Sequence, residues 1–387
     1  MKKFALVLSG GGFKGAFQVG ALKYLKENWD KINPDNGTMK FDIVTGVSVG
    51  SLNGFLIATN KFADLETLWN DVAQNGVNEI YNSDIIDTKP DQGNSDPKLK
   101  MKLSWEAIKN RFPNALKNVA WRLLFNRNAL MTGLEEDFSN FKSIADNSPL
   151  AKKLSTIAKK SDIKDCIYKC GYVSLNDGSY NSCKHSDFTT DVDFANGILA
   201  STTMPIIWKP VEKINTIRGQ SKYAVDGGIR NVSPLGDAIS EIVKDPSGEE
   251  YLIIIINCSS GKIEPDDYEH KNIAQIALRS LDDIAITEIF NNDLAEFIDK
   301  NFILKQINDV LPDKKIYDYD YANRRAGKVL KRFNAIIIQP ADEKILGDSL
   351  VANDVLIERR LDHGQQKAEE AILQFMEEGN NFNFVIV

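Results

Sequence analysis

The order of apolar and polar positions predicts alternating short strands and helices over the first sixty residues. Phe4-Ala5-Leu6-Val7-Leu8 is an all-apolar run of strand length, closed by Gly10-Gly11-Gly12. From Gly15 onward, Ala16, Val19, Leu22 and Leu25 recur at helical spacing, and Lys26-Glu27-Asn28 marks the end of that pattern. Residues 41–44 form a second short apolar run, and Leu52, Phe55 and Leu56 after Ser48 open a second helix. Strand, glycine turn, helix, strand, tight turn and helix make two βα units. Strands apolar on both faces imply a three-layer α/β/α architecture around a mostly parallel central sheet.

Further strands are predicted at 166–173, 223–225, 251–256, 332–338 and 383–387, the run at 251–256 being the strongest. Residues 273–303 and 358–376 have helical patterns. Residues 84–100, rich in Asp, Pro, Asn, Gly and Lys, read as a loop. Beyond it, residues 101–125 mix Trp105, Phe112 and Trp121 with Lys102, Lys109, Arg111, Lys117 and Arg122. That mixture suits an anionic membrane surface, but an ordinary core-packed helix with a basic outer face is the favoured reading. There is no internal repeat and no linker. The expectation is one domain over 1–387, with an inserted surface region or lid at 84–128 and a C-terminal extension of the core at 251–387.

Composition removes several classes of function. A formal net charge of -7 gives no footing for nucleic acid as a partner. Four cysteines in 387 residues are not a disulfide framework. Cys166, Cys170, Cys183 and His185 could be drawn as a zinc site, but Cys166 and Cys170 straddle a strand-like stretch, which favours free thiols. No metal or cofactor is expected. The apolar run after Met1-Lys2-Lys3 is too short for a signal peptide, and no stretch approaches the roughly 20 apolar residues of a bilayer span. A cytoplasmic protein with peripheral membrane contact is the expectation, its oligomeric state left open.

Three motifs carry candidate chemistry. Gly46-Val47-Ser48-Val49-Gly50 places a serine between glycines at a strand-to-helix turn, the setting of a nucleophile elbow. A plain tight βα turn or a phosphate-binding turn is the competing reading. The chain has three histidines, His185, His270 and His363, and none is placed to serve that serine. Gly10-Gly11-Gly12-Phe13-Lys14-Gly15 follows the first strand, where main-chain N–H groups can converge on an oxyanion. The same residues fit a dinucleotide fingerprint, but Asp30 and Asp35 lie in a polar stretch before the second strand instead of at its end. Asp226-Gly227-Gly228 follows a strand and could carry a carboxylate base or be a simple β-turn.

Taken in order, these motifs resemble the patatin-like phospholipases. That family has Gly-Gly-Gly-x-Arg/Lys-Gly before its elbow, matched by residues 10–15, and Gly-x-Ser-x-Gly, matched by residues 46–50 and continued by Ser51, Leu52 and Asn53. Its Asp-Gly-Gly/Ala is matched by residues 226–228, with Asn231 and Pro234 beyond. Ala200-Ser201-Thr202-Thr203-Met204-Pro205 resembles the family block Ala-Ser-x-Ala-x-Pro, with Thr203 in place of the second alanine. The resemblance covers about residues 4–235.

It implies a patatin-like fold and a Ser48–Asp226 dyad. The oxyanion hole would be drawn from Gly10, Gly11, Gly12, Phe13 and Gly15, with Lys14, Gly46, Gly50, Gly227, Gly228 and Asn231 in support. Lys14 would anchor the loop or meet a phosphate headgroup. The implied activity is lipid acyl hydrolysis of phospholipase A or lysophospholipase type, on a phospholipid or other acyl-ester lipid at a membrane or micelle surface. Acyl transfer or thioester cleavage by the same dyad, and a non-catalytic membrane-associated or storage role, are the alternatives.

Overall fold

The structure, a computed structural model, describes residues 2–89, 92–96, 143–263, 279–312, 314–320, 323–379 and 384–387, with isolated positions between. Most of the inserted region expected at 84–128, including Trp105 and Trp121, lies outside the described residues.

The chain opens with β1 (Lys3–Leu8), α1 (Gly15–Glu27), α2 (Trp29–Ile32), β2 (Ile43–Val47), α3 (Val49–Ala58) and α4 (Phe62–Asn75). Beyond residue 142 come α5 (Ser148–Ile157), β3 (Ile167–Ser174), β4 (Tyr180–Lys184), α6 (Asp191–Ser201), β5 (Val211–Thr216), β6 (Gly219–Asp226) and α7 (Leu235–Lys244). The rest contributes β7 (Tyr251–Ile256), α8 (Ile286–Val310), β8 (Tyr317–Asp320), β9 (Arg325–Val329), β10 (Asn334–Ile338), α9 (Glu343–Leu346), α10 (Asp354–Glu378) and β11 (Phe384–Ile386).

The main sheet runs β11-β10-β7-β1-β2-β3-β6-β5, with β4 also on β3. Pairs from β11 through β3 are parallel, whereas β3 pairs antiparallel with β4 and β6, and β6 with β5. The expected mostly parallel sheet is present, with an antiparallel wing at one side. β1 alternates between two cores. Leu6 and Leu8 join the cluster containing α1, α3 and α10, and Ala5 and Val7 join the one containing α7 and α8. Helices therefore cover both faces, which is why β1 is apolar from Phe4 on and β7 throughout.

The pattern at 273–303 resolves differently from expectation. Residues Arg279–Ala285 form a π turn, and the α-helix starts at Ile286 and runs on to Val310. Close contacts set the helices in place on both sides of the sheet. A β-carbon at Gly20 would sit 1.9 Å from Leu361 O, and one at Gly364 would sit 2.0 Å from Phe17 O, so α1 and α10 cross backbone to backbone. On the opposite core, Glu241 of α7 is ion-paired to Lys184 at 2.6 Å, Lys244 at 3.0 Å and Lys169 at 3.4 Å.

Candidate active site

Ser48 stands between β2 and α3 with φ 54 and ψ -132, a backbone conformation that non-glycine residues rarely adopt. Such a conformation costs on the order of 1–3 kcal/mol and persists only where its surroundings impose it. Here the surroundings are main chain. A β-carbon on Gly46 would come within 2.2 Å of Gly50 O, and one on Gly50 within 2.2 Å of Leu8 O. The turn can fold onto the end of β1 only with glycine at both places. Ser48 N–H donates to Ser201 Oγ at 3.0 Å, and that hydroxyl donates to Gly171 O at 2.6 Å. Ser51 Oγ donates to Ser48 O at 2.7 Å, closing the elbow from the helix side.

Strand register brings Asp226 to the same place. β2 pairs with β3 up to Val47 opposite Gly171, and β6 pairs with β3 starting from Asp226 opposite Tyr172. Because β4 occupies the other edge of β3 opposite Tyr172 and Val173, β2 and β6 must share one edge. They run toward each other and end at adjacent register positions, so the residue after β2 and the last residue of β6 converge. Asp226 is buried, its N–H donates to Thr203 O at 2.8 Å, and its Oδ1 accepts from Gly228 N–H at 2.7 Å. A β-carbon on Gly227 would lie 2.5 Å from Gly171 O, so this turn too packs against β3.

The glycine loop lies over the elbow. A β-carbon on Gly10 would be 3.1 Å from Ser48 Cβ and 3.9 Å from Ser48 Oγ. Three of the expected oxyanion donors are already committed within the protein. Gly10 N–H donates to Val232 O at 3.0 Å, Phe13 N–H donates to Ser349 O at 2.8 Å, and Gly15 N–H bonds carbonyls of its own turn. Gly11 and Gly12 keep N–H groups with no partner among the described residues. Gly12 has φ 55, and a β-carbon there would sit 2.3 Å from Ser349 O. Glycine is required at that point for both reasons.

Lys14 is tied to the far C-terminal part of the chain. Its Nζ pairs with Glu343 at 2.6 Å. Burial disfavours the Glu343 carboxylate, but Lys14, Ser259 and Ser260 outweigh it and hold the group below the usual range. Asn53 Nδ2 donates to Gly15 O at 3.1 Å and to Gln18 Oε1 at 2.9 Å, while Trp69 Nε1 donates to Asn53 Oδ1 at 3.0 Å. This buried network fastens α3 to α1. Asn231 N–H donates to Gly227 O at 3.0 Å, and Thr45 Oγ1 donates to Pro234 O at 3.1 Å, placing the turn after Asp226 beside β2.

His185 and His363 serve elsewhere. His185 Nδ1 accepts from Tyr168 N–H at 3.4 Å, and His363 Nε2 accepts from Ala341 N–H at 3.2 Å. Burial lowers the pKa of both imidazoles. His270 lies outside the described residues. Cys170 faces Cys183 across β3 and β4, and Cys166, Cys170, Cys183 and Cys258 are free thiols. Burial pushes the thiols of Cys166 and Cys258 up to about 12. Among the described residues no helix is long and apolar enough to cross a membrane.

Sequence reading gave no site role to several residues that shape this site. Ser201 ties the elbow to β3, Thr203 O fixes the Asp226 backbone, and Val232 O and Ser349 O anchor the glycine loop. Only Ser201 and Thr203 had a signal, the spacing of the 200–205 block; the other two act through carbonyls, which any side chain would supply.

No curated protein matches the chain. Among solved structures it is similar to VipD from Legionella pneumophila, with 12% identity and a TM-score of 0.42, covering 96% of this chain and 67% of that one. The family model described as "Patatin-like phospholipase" matches residues 6–239, a span that begins in β1 and ends in α7. With well over half its length so matched, and all three motifs inside the match, the chain belongs to the patatin-like phospholipase family of lipid hydrolases.

Proposed function

We propose that the protein is a lipid acyl hydrolase of phospholipase A or lysophospholipase type, working through a Ser48–Asp226 dyad and an acyl-enzyme. The observation that carries this reading is the meeting of β2 and β6 at adjacent positions on one edge of β3. Asp226 accepts the proton as Ser48 Oγ attacks the ester carbonyl. The Gly11 and Gly12 N–H groups receive the oxyanion, and the positive end of α3 favours negative charge beside Ser48. Collapse expels the alcohol, which takes the proton from Asp226. Water then attacks the acyl-enzyme, gives its proton to Asp226, and the free acid leaves as Ser48 is reprotonated. An aspartate in water, pKa about 3.9, is a weak base for a serine hydroxyl, so preorganised oxyanion donors must supply much of the rate. The substrate is a phospholipid or related acyl ester met at a membrane or micelle surface.

Lipid product analysis on phosphatidylcholine vesicles, wild type against S48A, tests the reading. Release of free fatty acid and lysophospholipid by wild type, reduced at least a thousandfold in S48A, is the expected result. Wild-type rates in S48A would refute it. Acyl appearing on an added alcohol instead of as free acid would reassign the same dyad to transfer.

A further inference from the structure

The glycine loop is held by a part of the chain far beyond residue 239, where the family match ends. Residues 343–351 grip it at two points. Glu343 takes the Lys14 ammonium at 2.6 Å, and Ser349 O takes the Phe13 N–H at 2.8 Å. The contact at Ser349 is close enough that only glycine fits at position 12, with a β-carbon there reaching 2.3 Å from the carbonyl oxygen. The residues just before this grip, Gly11 and Gly12, are the ones with uncommitted N–H groups.

Residues 346–351 contain little regular structure that would fix a carbonyl on its own. One side chain bonds three of their carbonyls. Arg360 of α10 is fully buried, and its guanidinium donates from Nε to Leu346 O at 2.7 Å, from Nη2 to Asp348 O at 2.8 Å and from Nη1 to Val351 O at 3.0 Å. The planar fork thus bonds carbonyls on both sides of Ser349. Burial pulls the guanidinium down to about 10, with Asp348 opposing that shift, so it stays charged at neutral pH. At the other end of the segment, Glu343 is itself held by Ser259 Oγ at 2.8 Å and Ser260 N–H at 2.5 Å. The backbone crossing of α1 and α10 at Gly20 and Gly364 keeps Arg360 in a fixed position relative to the glycine loop.

We propose that residues 343–351 are a brace for the oxyanion donors and that Arg360 and Glu343 are its positioning residues, an assignment that rests on the Ser48–Asp226 reading above. Phe13 N–H is turned inward to Ser349, which leaves the preceding two N–H groups facing the substrate carbonyl. Loosening the brace lets those donors drift. A displacement of about 1 Å at such a site can cost on the order of a hundredfold in rate.

The test compares wild type, R360M, R360K and E343Q in hydrolysis of p-nitrophenyl butyrate. Rates are normalised to the fraction of Ser48 labelled at completion by a fluorophosphonate. A trifluoromethyl ketone, which forms a tetrahedral adduct on the serine, reports oxyanion binding directly. For R360M, kcat per labelled site should fall about 10- to 100-fold with ketone affinity falling in parallel and KM within twofold of wild type. R360K should recover part of the loss, and E343Q should lose about 3- to 10-fold. A merely structural role would lower Tm and the labelled fraction while leaving kcat per labelled site unchanged, and that result overturns the proposal. Should R360M fail to fold, E343Q decides, since its Gln can still accept from Ser259 and Ser260. Hydrolysis that survives S48A refutes the reading of the site, whereas Ser48-dependent hydrolysis indifferent to R360M and E343Q refutes only the brace.

Discussion

Asp226→Asn separates the chemical task of this residue from its structural one. Asp226 Oδ1 accepts from Gly228 N–H at 2.7 Å and caps the short helical turn at Gly227–Ile229. An amide can keep that bond only by placing its oxygen there, so its NH2 group takes the place of Oδ2, the oxygen proposed to accept the proton. Shape and cap survive while the base disappears. General-base catalysis contributes about 10²–10⁴ in rate, so D226N should lose that factor in kcat, about 2.7–5.4 kcal/mol of transition-state stabilisation. Its stability should change by less than about 1 kcal/mol. Asp226→Ala instead strands the Gly228 N–H and removes the cap, and should also lose about 1–3 kcal/mol of folding free energy. The assay is initial-rate hydrolysis of phosphatidylcholine vesicles alongside urea unfolding. It uses fresh protein, because the new Asn-Gly pair can deamidate back to aspartate. A D226N enzyme retaining more than about a third of wild-type kcat would show that Asp226 is not the base.

His185→Gln should leave kcat within about twofold of wild type, because the imidazole only accepts the Tyr168 N–H and a glutamine oxygen can do the same. A tenfold loss in folded H185Q would refute the histidine-free dyad. Burial lowers the folded pKa of His185, so the unfolded chain takes the proton first as pH drops below about 6.5. Wild type should therefore lose more stability than H185Q between about pH 7 and 5 in urea melts, and parallel curves would contradict this. Burial disfavours the Glu241 carboxylate, but Lys184, Lys244 and Lys169 outweigh it and pull its pKa down to about 2. Its stabilisation is present above the unfolded value of about 4.3 and is lost as pH falls toward 2. E241Q should start less stable at pH 6 and show a shallower acid decline than wild type; an equal decline would sink the assignment.

The parts of the site that were legible in the sequence are those where sterics permit a single residue type. Gly46, Gly50 and Gly12 are dictated by β-carbon clashes with main-chain oxygens, so the elbow and the glycine loop are visible as spelling. β7 was legible because burial on both faces demands an unbroken aliphatic run. β4, β5 and the first half of β6 escaped notice because they form the half-exposed antiparallel wing, whose residues are largely polar. The shared edge of β3 was equally hidden, since register depends on partners more than fifty residues apart. Ser349 and Val232 act through carbonyls, which leave no mark in side-chain identity. Arg360 did leave one, a charged residue beside Leu356, Ile357 and Leu361, but its partners are known only once the chain has folded.

The brace also sets an order in time. Glu343, Ser349 and Arg360 are added some three hundred residues after those of the elbow. At synthesis rates of 5–20 residues per second, that interval is about 15–60 s. β1 likewise waits for β7, with Lys3 opposite Tyr251, before both its edges are paired. On the proposed reading, a ribosome-bound chain therefore carries the serine long before Ser349 and Arg360 can brace its oxyanion donors. On that reading the proposed nucleophile is made first and the brace for its oxyanion donors last.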